Sequence, residues 1–267
     1  MPTLRQLAVE TLTHLSERGE STLAVDADAR RILREWLLAA RRGETAAPPA
    51  AAPQPPQSVE EKLAYLQQRA VRWKPALRLG TLRETMVFAT GSPHARLMLV
   101  GEAPGYEEEL RQEPFVGPAG RLLTRILAAM GLQRSEVYIS NVCKFRPSMG
   151  AQQGTANRPP TEEELAACLP LILAEIRAIR PACIICLGAT AAKGLLGTTA
   201  TVGSLRGQWL ECQGIPLRVT YHPSYLLRNE TLSARRAVWE DMLAAMQQLG
   251  MPISPRQQNY FTTSSAP

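Results

Sequence analysis

The pattern of apolar and polar positions divides the chain into four segments. Apolar side chains recur every three or four residues over residues 1–43, which predicts a helical N-terminal appendage. Proline and alanine dominate residues 44–57 and predict a semi-rigid linker. Residues 58–251 alternate short apolar runs with helical patterns, as expected of one α/β domain. Residues 252–267 are polar and show no periodicity, which predicts a flexible tail.

The domain is predicted to be a three-layer sandwich. Strands that alternate with helices imply right-handed crossovers and a mostly parallel sheet, here central and four-stranded. Ligands of such folds bind beyond the carboxyl ends of the strands. The predicted strands are residues 97–100, 137–142, 183–187 and 217–220, and the main predicted helices are residues 58–72, 120–130, 161–179 and 233–249.

Composition narrows the possible partners and the compartment. A net charge of +6 modestly favours a polyanionic partner. No apolar run reaches the roughly 18 residues of a membrane span, and acidic residues interrupt the N-terminus, so we expect a cytoplasmic protein. The five cysteines are an odd number, which argues against a disulfide framework. Cys183 and Cys186 have a metal-ligand spacing, but their apolar surroundings favour a buried strand.

Chemically useful side chains follow the predicted strands. Glu102 and Glu108 come after the first strand, Asn141 ends the second, and His222 follows the fourth. Phe115 precedes a glycine-containing turn that opens a helix. The glycine spacings fit neither a P-loop nor a dinucleotide fingerprint. Two carboxylates, an aromatic ring, an amide and an imidazole are therefore expected on one rim of the sheet.

Five stretches, in this order along the chain, resemble the uracil-DNA glycosylase superfamily, and most closely its family 4. The resemblance covers about residues 83–249. It implies a DNA glycosylase that flips uracil out of DNA and hydrolyses its N-glycosidic bond in base excision repair. It also implies uracil-containing DNA as the partner, and a monomer is expected of a glycosylase. The helical pattern of residues 1–43 leaves two interpretations open, a helix that docks a protein partner and a simple cap. The matching stretches are residues 101–108, 114–123, 139–144, 157–163 and 222–228.

The resemblance implies a pocket for the flipped base. Phe115 would stack on uracil, and the Asn141 amide would accept from uracil N3–H and donate to O4. Cytosine lacks the N3–H and carries an amino group in place of O4, so its binding would leave polar groups unpaired. Backbone groups of Gly101, Ala103 and Gly105 would approach the substrate closely.

Catalysis would need a donor to the departing uracil and a carboxylate for the water. His222, as a neutral imidazole, would donate to uracil O2, where negative charge develops. Glu102 and Glu108 are candidates to position the water and to stabilise the cationic sugar. The resemblance slightly favours Glu108, with Glu102 shaping the pocket, and the sequence alone does not separate the two.

The remaining predicted DNA contacts surround the histidine and the second strand. An apolar wedge after the histidine would fill the space that the flipped base leaves. Serine and basic side chains would contact phosphates, although a solvated surface is an equally frequent role for such residues. These predicted contacts are Ser224, Leu226, Leu227, Arg228 and Lys144.

The chain departs from family 4 at the iron–sulfur cluster. Family 4 enzymes usually hold a 4Fe–4S cluster on four cysteines. Two of these positions fall in residues 73–78, which contain no cysteine, and the third is Phe145. Only Cys168 matches, and Cys143 is offset. Because ligation requires the thiolates, we predict no cluster and no metal, with packing around Leu77 and Phe145 in its place.

Other functions stay open at this stage. The same pocket would suit a glycosylase for other deaminated bases, such as hypoxanthine or xanthine. A non-catalytic, polymerase-associated DNA-binding module is a further alternative, although it would not need all five rim side chains. Residues 148–160 contain no histidine, which argues against the covalent trapping of one relative of the family. Strand preference and the role of the N-terminal helices are not predicted.

Overall fold

The computed structural model describes residues 30, 31, 34 and 57–262. The chain divides into two compact units, Met1–Pro55 and Pro56–Pro267, and this division falls within the predicted linker. The predicted N-terminal appendage lies outside the described residues, apart from residues 30, 31 and 34, which are helical. None of the helices in the described part of the chain has the length and apolarity that a membrane span requires.

A six-stranded mixed sheet forms the centre of the second unit. Its order is β2-β4-β3-β6-β8-β7, in which β4, β3, β6 and β8 are parallel and the two edge strands are antiparallel. A separate two-stranded sheet pairs β1 with β5. The strands are β1 Leu82–Met86, β2 Ala89–Gly91, β3 Leu97–Gly101, β4 Tyr138–Asn141, β5 Phe145–Pro147, β6 Cys183–Leu187, β7 Leu210–Cys212 and β8 Ile215–Thr220.

The mostly parallel sheet confirms the predicted fold, but the predicted strand number was too small. The four expected strands are the parallel centre, and β2 and β7 extend the sheet at its two edges. Both edge strands have only three residues and are largely incompletely buried, so they lack the continuous apolar run by which a central strand is recognised.

Helices cover both faces of the sheet. Ser58 and Thr161 each cap the helix that follows them through their side chains, and a glutamate three residues later completes each capping box. The helices are α1 Val59–Ala70, α2 Lys74–Leu77, α3 Tyr106–Arg111, α4 Pro118–Met130, α5 Glu162–Ile179, α6 Ala189–Leu196, α7 Val202–Leu205, α8 Pro223–Arg228, α9 Leu232–Gln248 and α10 Pro255–Gln258.

The core lies in two layers, one on each face of the sheet. Met98 and Val100 of β3 pack with α1, α5 and α6, whereas Leu97 and Leu99 pack with α4 and α9. This alternation follows from the two-residue period of a strand. Cys183 and Cys186 belong to opposite layers and are buried, so these two thiols are core residues, as their apolar surroundings predicted.

The segment after α9 differs from the loose tail that the sequence predicts. The Trp239 indole donates to the Gln257 carbonyl at 2.5 Å, and the Gln257 side chain donates to the Ala129 carbonyl at 2.9 Å. Arg236 donates to the carbonyls of Gln258 and Tyr260. Residues 255–260 are therefore tied to α4 and α9, and residues 263–267 lie outside the described part.

Candidate active site

Two strand ends meet at the floor of the candidate site. Gly101, at the end of β3, is paired with Asn141, at the end of β4. A Cβ atom on Gly101 would lie 2.4 Å from Asn141 Oδ1 and 2.5 Å from the Phe115 ring. Only glycine therefore allows the amide and the aromatic ring to approach this strand end so closely.

Asn141 presents a buried acceptor without a partner. Its relative exposure is 2%, and within residues 30, 31, 34 and 57–262 its Oδ1 atom makes no hydrogen bond. A buried polar atom left unsatisfied costs about 1–3 kcal/mol, and native structures contain few of them. Such an atom beside an aromatic ring is suited to accept a hydrogen bond from a ligand.

Phe115 forms an aromatic wall of the site. Its ring centroid lies 5.6 Å from that of His222, with the two ring planes inclined by 32°. The side chain is 7% exposed, and the backbone is in the left-handed region with a φ of 57°. A non-glycine residue in this conformation stores strain of about 1–3 kcal/mol and needs surrounding contacts to hold it.

His222 is oriented as a neutral hydrogen-bond donor. Its Nδ1 atom accepts from the Ser224 backbone N–H at 3.1 Å and lies 2.8 Å from Ser224 Oγ. Because Nδ1 accepts, the ring hydrogen of the neutral form is on Nε2. Burial, and secondarily the positive charge of Arg228, lower the pKa of His222 to about 4. The imidazole is therefore neutral at physiological pH.

The two candidate carboxylates have different surroundings. Burial raises the pKa of Glu102 above its ordinary value, while a hydrogen bond with Thr190 and the charge of Arg228 act in the opposite direction. Glu102 directly follows the end of β3, at the floor of the site. A desolvated carboxylate at a strand end is typical of a catalytic position.

Glu108 instead joins two loops. Its carboxylate accepts from the backbone N–H groups of Gly105 at 3.2 Å, Val116 at 3.0 Å and Gly117 at 2.8 Å. Three charge-assisted hydrogen bonds occupy both of its oxygens. Glu108 therefore connects the start of α3 to the segment after Phe115.

Glycine is also required where these loops approach the side chains. A Cβ on Gly105 would lie 2.8 Å from a Glu108 oxygen and 3.1 Å from Asn157 Nδ2. Asn157 is held by Arg146, whose Nε donates to its Oδ1 at 3.0 Å. Ala103 is partly buried and packs against the core of the α5 face.

Comparison with known proteins identifies the family. The profile described as "Uracil DNA glycosylase superfamily" matches residues 88–243. The chain belongs to this superfamily. The type-4 uracil-DNA glycosylase of Thermotoga maritima is 41% identical over 187 residues, which are 68% of this chain and 92% of the relative. The type-4 enzyme of Archaeoglobus fulgidus is 41% identical over 150 residues, 53% of this chain and 72% of that protein.

The prediction that Lys144 contacts DNA is wrong, because its side chain is buried. Lys144 is fully buried, and its Nζ atom lies 2.5 Å from Glu175 Oε1 and 2.5 Å from Ser140 Oγ. The glutamate on α5 and the polar side chain on β4 provide its partners inside the core, so the charge is not available to a phosphate. It is a structural ion pair between α5 and the loop after β4.

The residues after His222 divide between the core and the surface. Leu226 is buried among the residues of the α4 and α9 face, whereas Leu227 is 39% exposed. Leu226 is therefore not available as the predicted wedge, and the exposed Leu227 stays the candidate for it. Arg228 is exposed and close enough to Glu102 and His222 to lower the pKa of both. Ser224 contacts the imidazole rather than lying free at the surface.

Two buried cysteines lie close together near the positions that the resemblance gives to cluster ligands. Cys143 and Cys168 are buried neighbours, and their interaction lowers the pKa of Cys168 and raises that of Cys143. Over the described residues, no three His, Cys, Asp or Glu side chains are grouped to hold a metal ion. A cluster bound by cysteine needs four thiolates, and of these two cysteines only Cys168 falls at a matching position.

Aromatic packing occupies the region where the cluster cysteines would fall. Phe145 is fully buried with Ala76 and Cys168 in one core layer, and the Trp73 indole donates to the Ala167 carbonyl at 2.6 Å. Leu77 is 37% exposed, so the predicted packing around it is wrong, and the neighbouring alanine on α2 makes the buried contact instead.

Thr190, in the site, and Arg134, which contacts the Phe115 loop from outside it, were not predicted. Thr190 lies at the start of α6, just beyond the end of β6. The expectation that site residues follow the carboxyl ends of the strands could therefore have identified it. Arg134 lies in a short 3-10 turn, Arg134–Glu136, far from any strand-end motif. Its contact with Phe115 depends on tertiary structure, and no sequence signal indicates it.

Proposed function

We propose that this protein removes uracil from DNA by hydrolysing the N-glycosidic bond, as a base-excision-repair enzyme. The observation that carries the proposal is the buried, unpaired Oδ1 of Asn141 beside the Phe115 ring. Family membership and the type-4 uracil-DNA glycosylases among the relatives support the same activity.

Asn141 would read the edge of the flipped base. Uracil N3–H would donate to Oδ1, and the amide Nδ2 would donate to uracil O4. Cytosine offers an acceptor at N3 and a donor at C4, so it would leave the Asn141 oxygen unpaired or force the amide to turn. The Phe115 ring would stack on the face of the base, an interaction of about 1–3 kcal/mol.

His222 and Glu102 would carry the chemistry. As the C1′–N1 bond breaks, its electron pair goes to the uracil ring, and the His222 Nε2–H would donate to O2, where charge develops. A water held by Glu102 would add to C1′ and give its proton to the carboxylate. The ionised carboxylate would also stabilise the cationic sugar. The resemblance slightly favoured Glu108 as the catalytic carboxylate. Because its oxygens already accept three backbone bonds, we instead assign it to supporting the loops.

Uracil-containing DNA is the proposed partner, bound by a monomer. Leu227 would enter the space that the flipped nucleotide leaves, and Arg228 would contact a phosphate nearby. We also propose that the enzyme works without a 4Fe–4S cluster, since its cysteines do not provide the ligands. Iron and acid-labile sulfide assays on anaerobically purified protein test this, and four irons per chain would contradict it.

The experiment is excision of one base from labelled DNA. Single-stranded and double-stranded oligonucleotides with one uracil, hypoxanthine or xanthine are incubated with wild type, and abasic sites are scored after alkali. Asn141→Ala is compared with Asn259→Ala, a matched change at a side chain whose amide donates to the Pro255 carbonyl in the C-terminal segment. Uracil excision by wild type and the control, but not by Asn141→Ala, supports the proposal.

Other outcomes would replace it. Excision of hypoxanthine or xanthine in preference to uracil would mean the same pocket with another base specificity. DNA binding without excision of any of the three bases would mean a non-catalytic module. Either result contradicts uracil excision as the function.

A further inference from the structure

The Phe115 backbone is held in a strained conformation by contacts on several sides. Its φ of 57° is unfavourable for a residue with a Cβ, so the loop must be fixed by its surroundings. On one side, the Glu108 carboxylate accepts from the two N–H groups that follow, those of Val116 and Gly117. On another, the Phe115 carbonyl packs on Gly120, where a Cβ would lie 1.8 Å from the oxygen.

Arg134 completes this arrangement from outside the site. Its NH1 atom donates to the Phe115 carbonyl at 3.0 Å, and NH2 donates to the Pro114 carbonyl at 2.8 Å and to Glu113 Oε1 at 3.1 Å. The guanidinium thus binds three consecutive residues of the loop. Its side chain is 22% exposed, and it projects from the turn between α4 and β4.

A guanidinium is well suited to this task. Its donors are fixed in one plane, so several bonds restrain the direction of a carbonyl as well as its distance. A lysine ammonium in the same place is a point charge without that planar geometry. Because the Phe115 carbonyl and its ring belong to the same strained residue, fixing the carbonyl also fixes where the ring lies.

We infer that Arg134 is a positioning residue that holds the Phe115 ring against the base pocket. Its function for catalysis rests on the proposed uracil excision, whereas its effect on the ring position does not. Arg134 reaches no atom of the candidate pocket itself through the bonds described above, so its effect on excision passes through Phe115.

The molecule contains a matched control for this arginine. Arg236 on α9 donates to the Gln258 and Tyr260 carbonyls at 2.8 and 2.9 Å and to Glu240 at 3.0 Å. It therefore also binds one carboxylate, on its own helix, and two backbone carbonyls, which lie in the C-terminal segment. Arg236→Met removes as many bonds as Arg134→Met but leaves the Phe115 loop intact.

The ring position is measured first by fluorine NMR. The chain has four phenylalanines, so 4-fluorophenylalanine labelling gives four resonances, and Phe115→Leu identifies the one of interest. Arg134→Met is expected to shift or broaden the Phe115 resonance and to leave those of Phe88 and Phe145 unchanged. Arg236→Met is expected to leave the Phe115 resonance where it is. Arg134→Lys replaces Arg134→Met if the latter does not fold.

A double-mutant cycle then measures the catalytic consequence. Loss of the stacking geometry is expected to lower kcat/KM for uracil excision about tenfold in Arg134→Met, within the range that loss of base stacking produces. Phe115→Ala lowers it at least as much, and adding Arg134→Met to Phe115→Ala causes no further loss. If Arg134 acted only through general stability, the losses of kcat/KM in the two single variants would multiply in the double variant.

The outcomes separate this inference from the proposed function. An unchanged Phe115 resonance in Arg134→Met, or multiplicative losses in the cycle, would overturn the inference. A wild-type protein that does not excise uracil would refute the proposed function, and the fluorine spectra would still decide whether Arg134 positions the ring.

Discussion

Replacing Glu102 or Glu108 with glutamine tests which carboxylate takes part in the reaction. Burial already disfavours the charge of Glu102 in the folded protein, so a neutral amide there is not expected to reduce stability. In the proposed mechanism, Glu102→Gln removes the carboxylate that would hold the water and face the cationic sugar. Loss of such a general base lowers the rate by about 10²–10⁴-fold.

Glu108→Gln is expected to lower the stability of the protein and to have only a small effect on its activity. The glutamine keeps one acceptor oxygen, but its NH₂ group faces a backbone donor, so one or two of the three bonds are lost. Hydrogen bonds to charged groups contribute about 1.5–3 kcal/mol each. A loss of about 2 kcal/mol lowers the Tm by about 4–8 °C in a domain of this size.

The assay is single-turnover excision of uracil from a labelled oligonucleotide, beside thermal unfolding of the same preparations. Measurement well below the Tm keeps Glu108→Gln folded, and a loss of about tenfold or less is expected from its loosened loops. The reasoning is refuted if Glu102→Gln keeps nearly full activity. It is equally refuted if Glu108→Gln loses more than about 100-fold with an unchanged Tm.

Three further substitutions test the loop, the core and the electrostatics. Gly120→Ala places a Cβ 1.8 Å from a backbone carbonyl oxygen, so we expect a destabilisation above about 4 kcal/mol in urea unfolding. Gly203→Ala is the control and should change little, because its Cβ would lie 3.8 Å from Thr201 Oγ1, an ordinary contact distance. Lys144→Met leaves the buried Glu175 carboxylate without its positive partner and should cost about 3–5 kcal/mol of unfolding free energy. The salt dependence of DNA binding should stay unchanged in that variant, measured at a temperature where it is folded. Arg228→Gln removes a positive charge that lowers the pKa values of Glu102 and His222, so both rise, and the acidic limb of the pH profile of kcat/KM should move to higher pH. An acidic limb that moves to lower pH would contradict this sign.

The central strands could be predicted because burial on both faces leaves a direct trace in the sequence. Residues 97–100 and 183–187 are continuous apolar runs, and each run is split between the two core layers. The edge strands β2 and β7 carry no such trace. Their pairing is decided by the neighbouring strands, and three residues are too few to show a period.

Several of the site residues were expected to lie close together because they follow the carboxyl ends of parallel strands, which all meet at one edge of the sheet. This expectation gave no information on which polar groups face solvent. Lys144 lies three residues beyond the end of β4, yet its charge is buried because α5 brings Glu175 to meet it. Likewise, the loops around Glu108 supply three amides to a side chain that reads as a free carboxylate.

The candidate site is therefore best understood by how its polar atoms are used. Glu108 and Arg134 form hydrogen bonds with backbone groups around Phe115, and Ser224 bonds to the His222 imidazole. These side chains therefore hold the loop and the two rings in place. Asn141 Oδ1, in contrast, is buried and unpaired in the described structure, at the centre of what the other residues hold in place. A ligand that donates to this oxygen removes a penalty already present in the folded protein, whereas a ligand that presents an acceptor there leaves it in place. We propose that specificity for a base with an N3–H rests on this difference, and on the rigidity of the loops as much as on the amide itself.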